Sequence, residues 1–123
     1  NLIHKTYLAI VDGIVKANEG EINLPLDKDE ARGSPYQKVM IGGKSSLTYW
    51  QNRLSVNNRT VLRLFPSTGR THQLRVHCAS IGHPILGDYF YGPKEVFGLS
   101  DRLLLHAEYL SFTHPRSKLP MAF

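Results

Sequence analysis

The segment "SSLTYWQNRLSVNNRTVLRLFP", residues 45–66, decides the fold, because it places two strand-like stretches around a short polar turn. Both stretches are rich in β-branched and aromatic residues, which favour strands. Between them lie Asn57 and Asn58, and asparagine tolerates the positive φ values that a two-residue turn requires. The segment therefore predicts an antiparallel hairpin, around which the rest of the chain is arranged.

Two further strand patterns precede this hairpin. Residues 6–11, "TYLAIV", combine aromatic and β-branched residues before a turn at Asp12 and Gly13. Residues 20–26, "GEINLPL", alternate apolar and polar positions, which is the pattern of a half-buried strand. Pro25 favours an edge position for that strand, because proline has no N–H to donate to a neighbour.

Loops and a last strand complete the pattern. Residues 27–36 are polar and contain glycine and proline, so they predict a loop. The "GGKSS" stretch at 42–46 resembles a phosphate-binding loop, but Lys38 stands where that motif requires its first glycine, so a tight turn between strands is predicted instead. Residues 102–115 predict a strand over 109–113, preceded by an ambiguous leucine run.

From Thr71 onward the apolar residues recur with helical spacing instead of the alternation of a strand, which predicts one helix. Thr71 is a suitable N-cap, and Gly82 stands where the helix would end. The apolar stripe at i, i+3, i+4 and i+7 consists of Leu74, His77, Cys78 and Ile81. With several strands around it, this helix predicts an α+β fold over 1–123, built on a mixed, mainly antiparallel sheet with flanking helices.

Composition places the chain among globular proteins. Of its 123 residues, 41% are hydrophobic and 20% are charged. No apolar run approaches the length of a membrane span, and no charged-then-apolar leader opens the chain. The single cysteine, Cys78, cannot form an internal disulfide. We therefore expect a cytoplasmic protein that makes no contact with membranes.

The charge distribution favours an anionic partner. The net charge is +5, and five of the ten acidic residues lie between positions 19 and 30, where Lys28 is the only basic residue. The rest of the chain is therefore more basic than the net charge indicates. An excess of this size is typical of proteins that bind nucleic acid, although basic solvated surfaces are also common.

The residues offer little support for a metal site or for a nucleophilic hydrolase. Six histidines are present, but His72 and His77 are five positions apart, which does not place two ligands on one helix face. Cys78 lies on the predicted apolar stripe, where a buried, unreactive thiol is expected. No G-x-S-x-G nucleophile motif occurs. We expect no metal and no hydrolase activity.

The stretch "TGRTHQLRVH", residues 68–77, concentrates hydrogen-bond donors at the start of the predicted helix. Arg70 and His72 lie where free backbone N–H groups already favour an anion, although surface arginines without a fixed partner are an alternative. Arg75 lies between two apolar residues, and a buried guanidinium needs a carboxylate. No nearby acid is an obvious partner, so that partner is expected from a distant part of the chain or from outside it.

This stretch also carries a family resemblance. "GRTHQLRVH" (69–77) closely resembles the signature of RNA pseudouridine synthases of the RluA-like type. Three further blocks resemble the same family and follow in its order: "KTYLAIVDG" (5–13), "GHPILGDYFYG" (82–92) and "LLLHAEYLSFTHP" (103–115). The resemblance implies a mixed sheet with a basic cleft. It also implies isomerisation of uridines in ribosomal or transfer RNA, without metal or organic cofactor.

The resemblance also implies roles for individual residues. Tyr7 matches the active-site tyrosine that contacts the extruded base and takes part in removing the proton at C5. Arg75 matches the arginine that pairs with the family's catalytic aspartate, and Leu105 resembles an apolar residue that lines the uracil pocket. The residues expected to face RNA phosphate or the displaced strand are Arg70, His72 and Gln73. Taken alone, Tyr7 and Leu105 also suit ordinary core positions.

The chain departs from the family by lacking one of its blocks. The catalytic aspartate belongs to a block resembling H-R-L-D-x-x-T-S-G, upstream of the Tyr7 block, and no such block occurs here. Asp88 belongs to a different block of the family. We therefore expect 1–123 to be the C-terminal part of a catalytic domain whose missing N-terminal half is its partner. Alone it should be inactive, and through its exposed sheet edges and apolar faces it should either self-associate or be marginally stable. The alternative is a noncatalytic RNA-binding module.

Overall fold

A computed structural model of the chain describes residues 4–111. Within this range lie seven strands and two helices. The strands are β1 (His4–Asp12), β2 (Glu19–Asn23), β3 (Leu26–Lys28), β4 (Gln37–Val39), β5 (Leu47–Val56), β6 (Arg59–Pro66) and β7 (Leu105–Ser111). The helices are α1 (Gln73–Ser80) and α2 (Lys94–Phe97). Neither helix is long and apolar enough to cross a membrane.

The main sheet has five strands in the order β2-β5-β6-β1-β7, and β3 and β4 form a separate two-stranded sheet. Every strand pair in the described range is antiparallel. The predicted α+β class and mainly antiparallel sheet are therefore confirmed. A parallel pair, which a mixed sheet requires, is not found among residues 4–111.

The hairpin of β5 and β6 is confirmed. Asn57 and Asn58 have φ values of 53° and 61°, so both adopt the left-handed conformation of a tight hairpin turn. Strand β2 pairs only with β5 and lies at the sheet edge, as predicted, but it ends at Asn23, before Pro25. The chain then bends into β3, so the predicted loop at 27–36 begins with the last residues of a short strand.

One face of the sheet packs against α1. In the register of β1 and β6, Tyr7 lies opposite Leu64 and Ala9 opposite Leu62, so these side chains share a face. Leu62 and Leu64 are fully buried, and burial of each such side chain contributes about 2 kcal/mol. The core on this face consists of Ala9, Val11, Val15, Ile22, Trp50, Leu62, Leu64, Leu74, Cys78 and Ile85.

Helix α1 begins later than predicted. Its N-cap is His72, which adopts a left-handed conformation with φ of 54°, and no side chain caps the helix. The prediction that Thr71 caps the helix is therefore wrong, because the turn closed by the Gln73 N–H and the Arg70 carbonyl delays the first helical residue. The predicted end is confirmed, since Gly82 has φ of 87° and donates its N–H to the carbonyl of Ala79.

The apolar stripe of α1 is confirmed in part. Leu74, His77 and Cys78 are buried against the sheet, as predicted. Ile81 is 36% exposed because the helix has already ended, and Val76 is buried instead. Residues 42–46 form the predicted turn region between β4 and β5.

Strand β7 begins at Leu105, earlier than predicted, so the last residue of the leucine run is already part of the strand. Positions 112 and 113 of the predicted strand lie outside the described residues. The segment before β7 crosses the chain at Gly87, which has φ of 81°, and a Cβ there would collide with the carbonyl of Arg102. Only glycine permits this close approach of two backbones.

Candidate active site

A cleft of about 380 Å³ opens between the start of α1 and the edge formed by β1 and β7. This volume lies within the range of sites that bind small molecules. All six residues predicted for the site line it: Tyr7, Arg70, His72, Gln73, Arg75 and Leu105. Residues that are far apart in the sequence therefore converge on one cavity.

Tyr7 and Leu105 form the apolar side of the cleft. Ala9 pairs with Leu105 across β1 and β7, and Tyr7 lies two residues earlier on β1, so both side chains point to the face covered by α1. Both are partly buried and pack against the core. Each residue thus contributes to the core, as its sequence position suggested, while part of its surface borders the cavity.

Arg75 lies in the first turn of α1 and pairs with Asp88. Its Nη2 is 2.7 Å from Oδ1 and its Nε is 3.3 Å from Oδ2, so the guanidinium binds the carboxylate through two donors. The expectation that no nearby acid of this chain serves Arg75 is therefore wrong. The turn at Gly82 reverses the chain after α1, which brings a residue 13 positions away back to the helix.

The carboxylate of Asp88 is enclosed by donors. Its side chain is 0% exposed, whereas that of Arg75 is 17% exposed. Besides Arg75, Asp88 Oδ1 accepts the backbone N–H groups of Phe90 at 3.0 Å and Tyr91 at 3.1 Å. A buried charge requires such partners, because an unpaired one is strongly destabilising.

The guanidinium of Arg75 is fixed but not saturated. Its central carbon lies 4.7 Å from the ring centroid of Phe90 and 5.4 Å from that of Tyr91. Of five guanidinium N–H groups, two bind Asp88, and no other acceptor for them is found among residues 4–111. Since Arg75 borders the cleft, we expect its remaining donors to be accessible from it.

His72 is neutral at pH 7. Burial lowers its pKa below the usual 6.5, the positive charge of Arg75 lowers it further, and the Asp88 carboxylate partly offsets both effects. Its Nδ1 shares a 2.6 Å hydrogen bond with the Tyr91 hydroxyl, which also accepts the backbone N–H of Gln37. The predicted contact with RNA stays a prediction, but the ring would serve as a hydrogen-bonding group rather than as a cation.

Gln73 borders the cleft while its amide points inward. Its Oε1 accepts from the Thr68 hydroxyl at 2.7 Å and from the Arg70 N–H at 3.1 Å. Its Nε2 donates to the Leu47 carbonyl and the Thr48 hydroxyl, both at 2.9 Å. The Gln73 side chain is 3% exposed, and these bonds use both N–H donors and the oxygen of its amide. The side chain ties the loop before α1 to β5 and has no donor left for RNA.

Arg70 has a fixed neutral partner. Its Nε and Nη2 donate to the backbone carbonyl of Ser45 at 3.0 and 2.8 Å, which connects the cleft to the turn between β4 and β5. The side chain is exposed and forms no ion pair with a described carboxylate. Its positive charge is therefore held in place without being neutralised.

His77 and Cys78 have no role at the cleft surface. His77 is fully buried, with Nδ1 2.8 Å from the Thr48 hydroxyl and Nε2 2.9 Å from the Leu24 carbonyl. Burial lowers the pKa of His77 and raises that of the Cys78 thiol to about 12, so both are neutral at pH 7. Among residues 4–111, no cluster of three or more His, Cys, Asp or Glu side chains is placed to hold a metal ion.

Sequence reasoning missed Asp88 and Tyr91. A signal existed in "GDYFYG", because aspartate often accepts backbone N–H groups two and three residues ahead, as Asp88 does here. That pattern predicts a turn. It does not predict which guanidinium the carboxylate will bind.

Comparison with known proteins places this chain in a family. A profile of RNA pseudouridylate synthases matches residues 1–80. The chain is 52% identical over 117 residues to the dual-specificity RNA pseudouridine synthase RluA of Vibrio cholerae, covering 94% of this chain and 47% of that protein. It is 46% identical over 121 residues to the protein of the same name from Pasteurella multocida, covering 97% of this chain and 55% of that protein.

A solved structure agrees. Human RNA pseudouridylate synthase domain containing 1 superposes with a TM-score of 0.80 at 29% identity, covering 94% of this chain and 51% of the human chain. The chain belongs to the RNA pseudouridylate synthase family. It spans about half the length of the curated relatives it matches.

Proposed function

We propose that the protein containing this chain converts uridines of ribosomal and transfer RNA to pseudouridine, and that this chain contributes Tyr7, Arg75 and Leu105 to the active site. The convergence of these residues on one cleft, in a chain of this family, is the observation that carries the proposal. The similarity to dual-specificity enzymes supports two RNA substrate classes.

The apolar side of the cleft suits an extruded base. A uridine in structured RNA must leave its stack before it can react, at a cost of a few kcal/mol. Contact of the uracil ring with Tyr7 and Leu105 would offset part of that cost. The cavity of about 380 Å³ has room for one pyrimidine.

Arg75 supplies the electrostatic part of the site. The reaction breaks the bond between C1′ and N1, forms one between C1′ and C5, moves a proton from C5 and adds one at N1. It needs no net oxidation, which fits a site of side chains alone. The unused donors of Arg75 would bind a second carboxylate, the nucleophile, from the remainder of the protein. Hydrogen bonds from these donors would favour the ionised form of the nucleophile and lower its pKa, while the Asp88 carboxylate offsets part of the effect of the Arg75 charge.

The test uses the full-length protein and RNA labelled with tritium at C5 of uridine, because the reaction releases that hydrogen. Wild type is expected to release tritium, and Tyr7→Phe to release it about 100-fold more slowly, since proton transfer by a positioned group contributes that much. Tyr49→Phe is the matched control, because Tyr49 pairs with Phe65 and faces the other side of the sheet.

Two outcomes would oppose the proposal. Release without pseudouridine in the digested product would indicate another reaction at C5. RNA binding by the wild type with no release of tritium would favour the noncatalytic RNA-binding module.

A further inference from the structure

We propose that Asp88 is a positioning residue, which holds the guanidinium of Arg75 in the one orientation that turns its unused donors to the cleft. Its effect on catalysis rests on the proposed function, whereas its effect on Arg75 does not. Asp88 need not touch the substrate, because its side chain is 0% exposed and lies behind the arginine.

The carboxylate is itself held rigidly. Oδ1 accepts two backbone N–H groups in addition to Arg75, so rotation of the carboxyl group would break several bonds together. The backbone on either side is anchored as well. The Leu86 N–H donates to the Ile10 carbonyl of β1 at 2.9 Å, and the Gly92 N–H donates to the Asp88 carbonyl at 3.0 Å.

Close contact at Gly87 also holds the backbone next to Asp88 in place. Its backbone lies against the Arg102 carbonyl with no room for a Cβ, and the Leu104 N–H donates to the Leu86 carbonyl at 3.0 Å. Asp88 is thus fixed to the strands that also carry Tyr7 and Leu105. The positions of the arginine and of the apolar side of the cleft are set by the same backbone.

Asp88 also fixes the plane of the guanidinium. The Nε and Nη2 edge faces the carboxylate, and the rings of Phe90 and Tyr91 lie 4.7 and 5.4 Å from its central carbon. Without the carboxylate the side chain of Arg75 would be free to rotate. Loss of orientation at a reacting centre costs far more rate than affinity.

The experiment uses Asp88→Asn in the full-length protein. Asparagine keeps the shape and the oxygen that accepts from Phe90 and Tyr91, but it loses the charge. We expect kcat for pseudouridine formation to fall about 10- to 100-fold, with KM for RNA changed less than about threefold. Glu108→Gln is the matched control: it makes the same chemical change in the carboxylate that binds Arg63, and kcat should not change.

A second readout does not depend on activity. The Asp88 carboxylate raises the pKa of His72, so in Asp88→Asn that pKa should fall below the wild-type value in an NMR titration, and Glu108→Gln should leave it unchanged. In the wild type, the Arg75 guanidinium should show hindered rotation and slow N–H exchange in ¹⁵N spectra.

The outcomes separate this inference from the proposed function. Full kcat in Asp88→Asn, with an active wild type, would overturn the positioning role. A freely rotating Arg75 guanidinium in the wild type would overturn it too, even if the variant does not fold. An inactive wild type with a hindered guanidinium would refute the enzyme proposal and support the positioning of Arg75.

Discussion

Two arginine–carboxylate pairs lie on opposite faces of the same sheet. In one pair the arginine is the more buried partner, and in the other the carboxylate is, so the two pairs are inverted. In the pair of Arg63 and Glu108, the arginine side chain is 6% exposed and the glutamate 18%. In the pair of Arg75 and Asp88, the aspartate is 0% exposed and the arginine 17%. Both pairs use two donors, at 3.0 and 2.9 Å in the first and 3.3 and 2.7 Å in the second.

The inversion is the reason for assigning the proposed chemistry to the pair of Arg75 and Asp88. Arg63 points into the protein and its carboxylate also accepts from the Thr6 hydroxyl, so the pair joins β6, β7 and β1. In the second pair the acid is the buried anchor, and the cation reaches the cleft. A buried ion pair alone is weak evidence of function. Which partner of the pair remains accessible, the arginine or the carboxylate, is better evidence of function.

The largest expected effect follows from removing the accessible cation. Arg75→Ala in the full-length protein should reduce the rate of pseudouridine formation at least about 100-fold, because preorganised charged donors contribute that much. Initial rates of tritium release measure this. Turnover near the wild-type rate would contradict the role assigned to Arg75 and remove the contrast between the two pairs.

Breaking the other pair should affect stability without affecting the chemistry. Arg63→Met leaves Glu108 without its guanidinium partner and should lower the free energy of unfolding by about 3 kcal/mol, measured by urea denaturation. Activity per folded molecule should be retained. The double variant Arg63→Met, Glu108→Leu should recover much of the stability, since no unpaired carboxylate remains. A double variant as unstable as the single one would argue against this explanation.

Arg70 differs from the arginines of both pairs, because it is held by a backbone carbonyl and not by a carboxylate. We expect Arg70→Ala to weaken RNA binding and to reduce the slope of log affinity against log salt by about one, as for the loss of a single phosphate contact. Binding titrations at several salt concentrations measure the slope. Arg63→Met, whose positive charge is neutralised and buried, should leave it unchanged.

The smallest expected effect concerns pH. Burial lowers the pKa of His72 and His77, so between those values and 6.5 the unfolded chain binds more protons than the folded one. The free energy of unfolding should therefore decrease as pH falls below about 6.5. Denaturation at pH 7.5 and 5.5 tests this, and His77→Asn should reduce the difference between the two values. An equal difference in that variant would exclude His77 as a source.

The sequence predicted those features that depend on neighbouring residues. Asn57 and Asn58 define a turn by their own backbone preference, aromatic and β-branched residues identified β1, and alternation identified β2. The start of α1 could not be predicted in this way, because the left-handed conformation of His72 is an unusual choice for a residue other than glycine.

Prediction of the site had a different limit. The resemblance identified residues that meet in one cleft, but it did not show which way each side chain points. Gln73 is directed inward by contacts with Leu47 and Thr48, which are set by β5 and not by its own neighbours. The partner of Arg75 depends on how tightly the chain turns after α1. The composition of the chain does not predict how close the residues after that turn come to the helix.

The chain's single tryptophan has a practical consequence. Trp50 is 9% exposed in the core, and its ring covers Gly20 so closely that a Cβ there would lie 2.7 Å from it. Its fluorescence should therefore shift to longer wavelengths when the sheet opens. This chain thus carries an intrinsic optical reporter of its own folding.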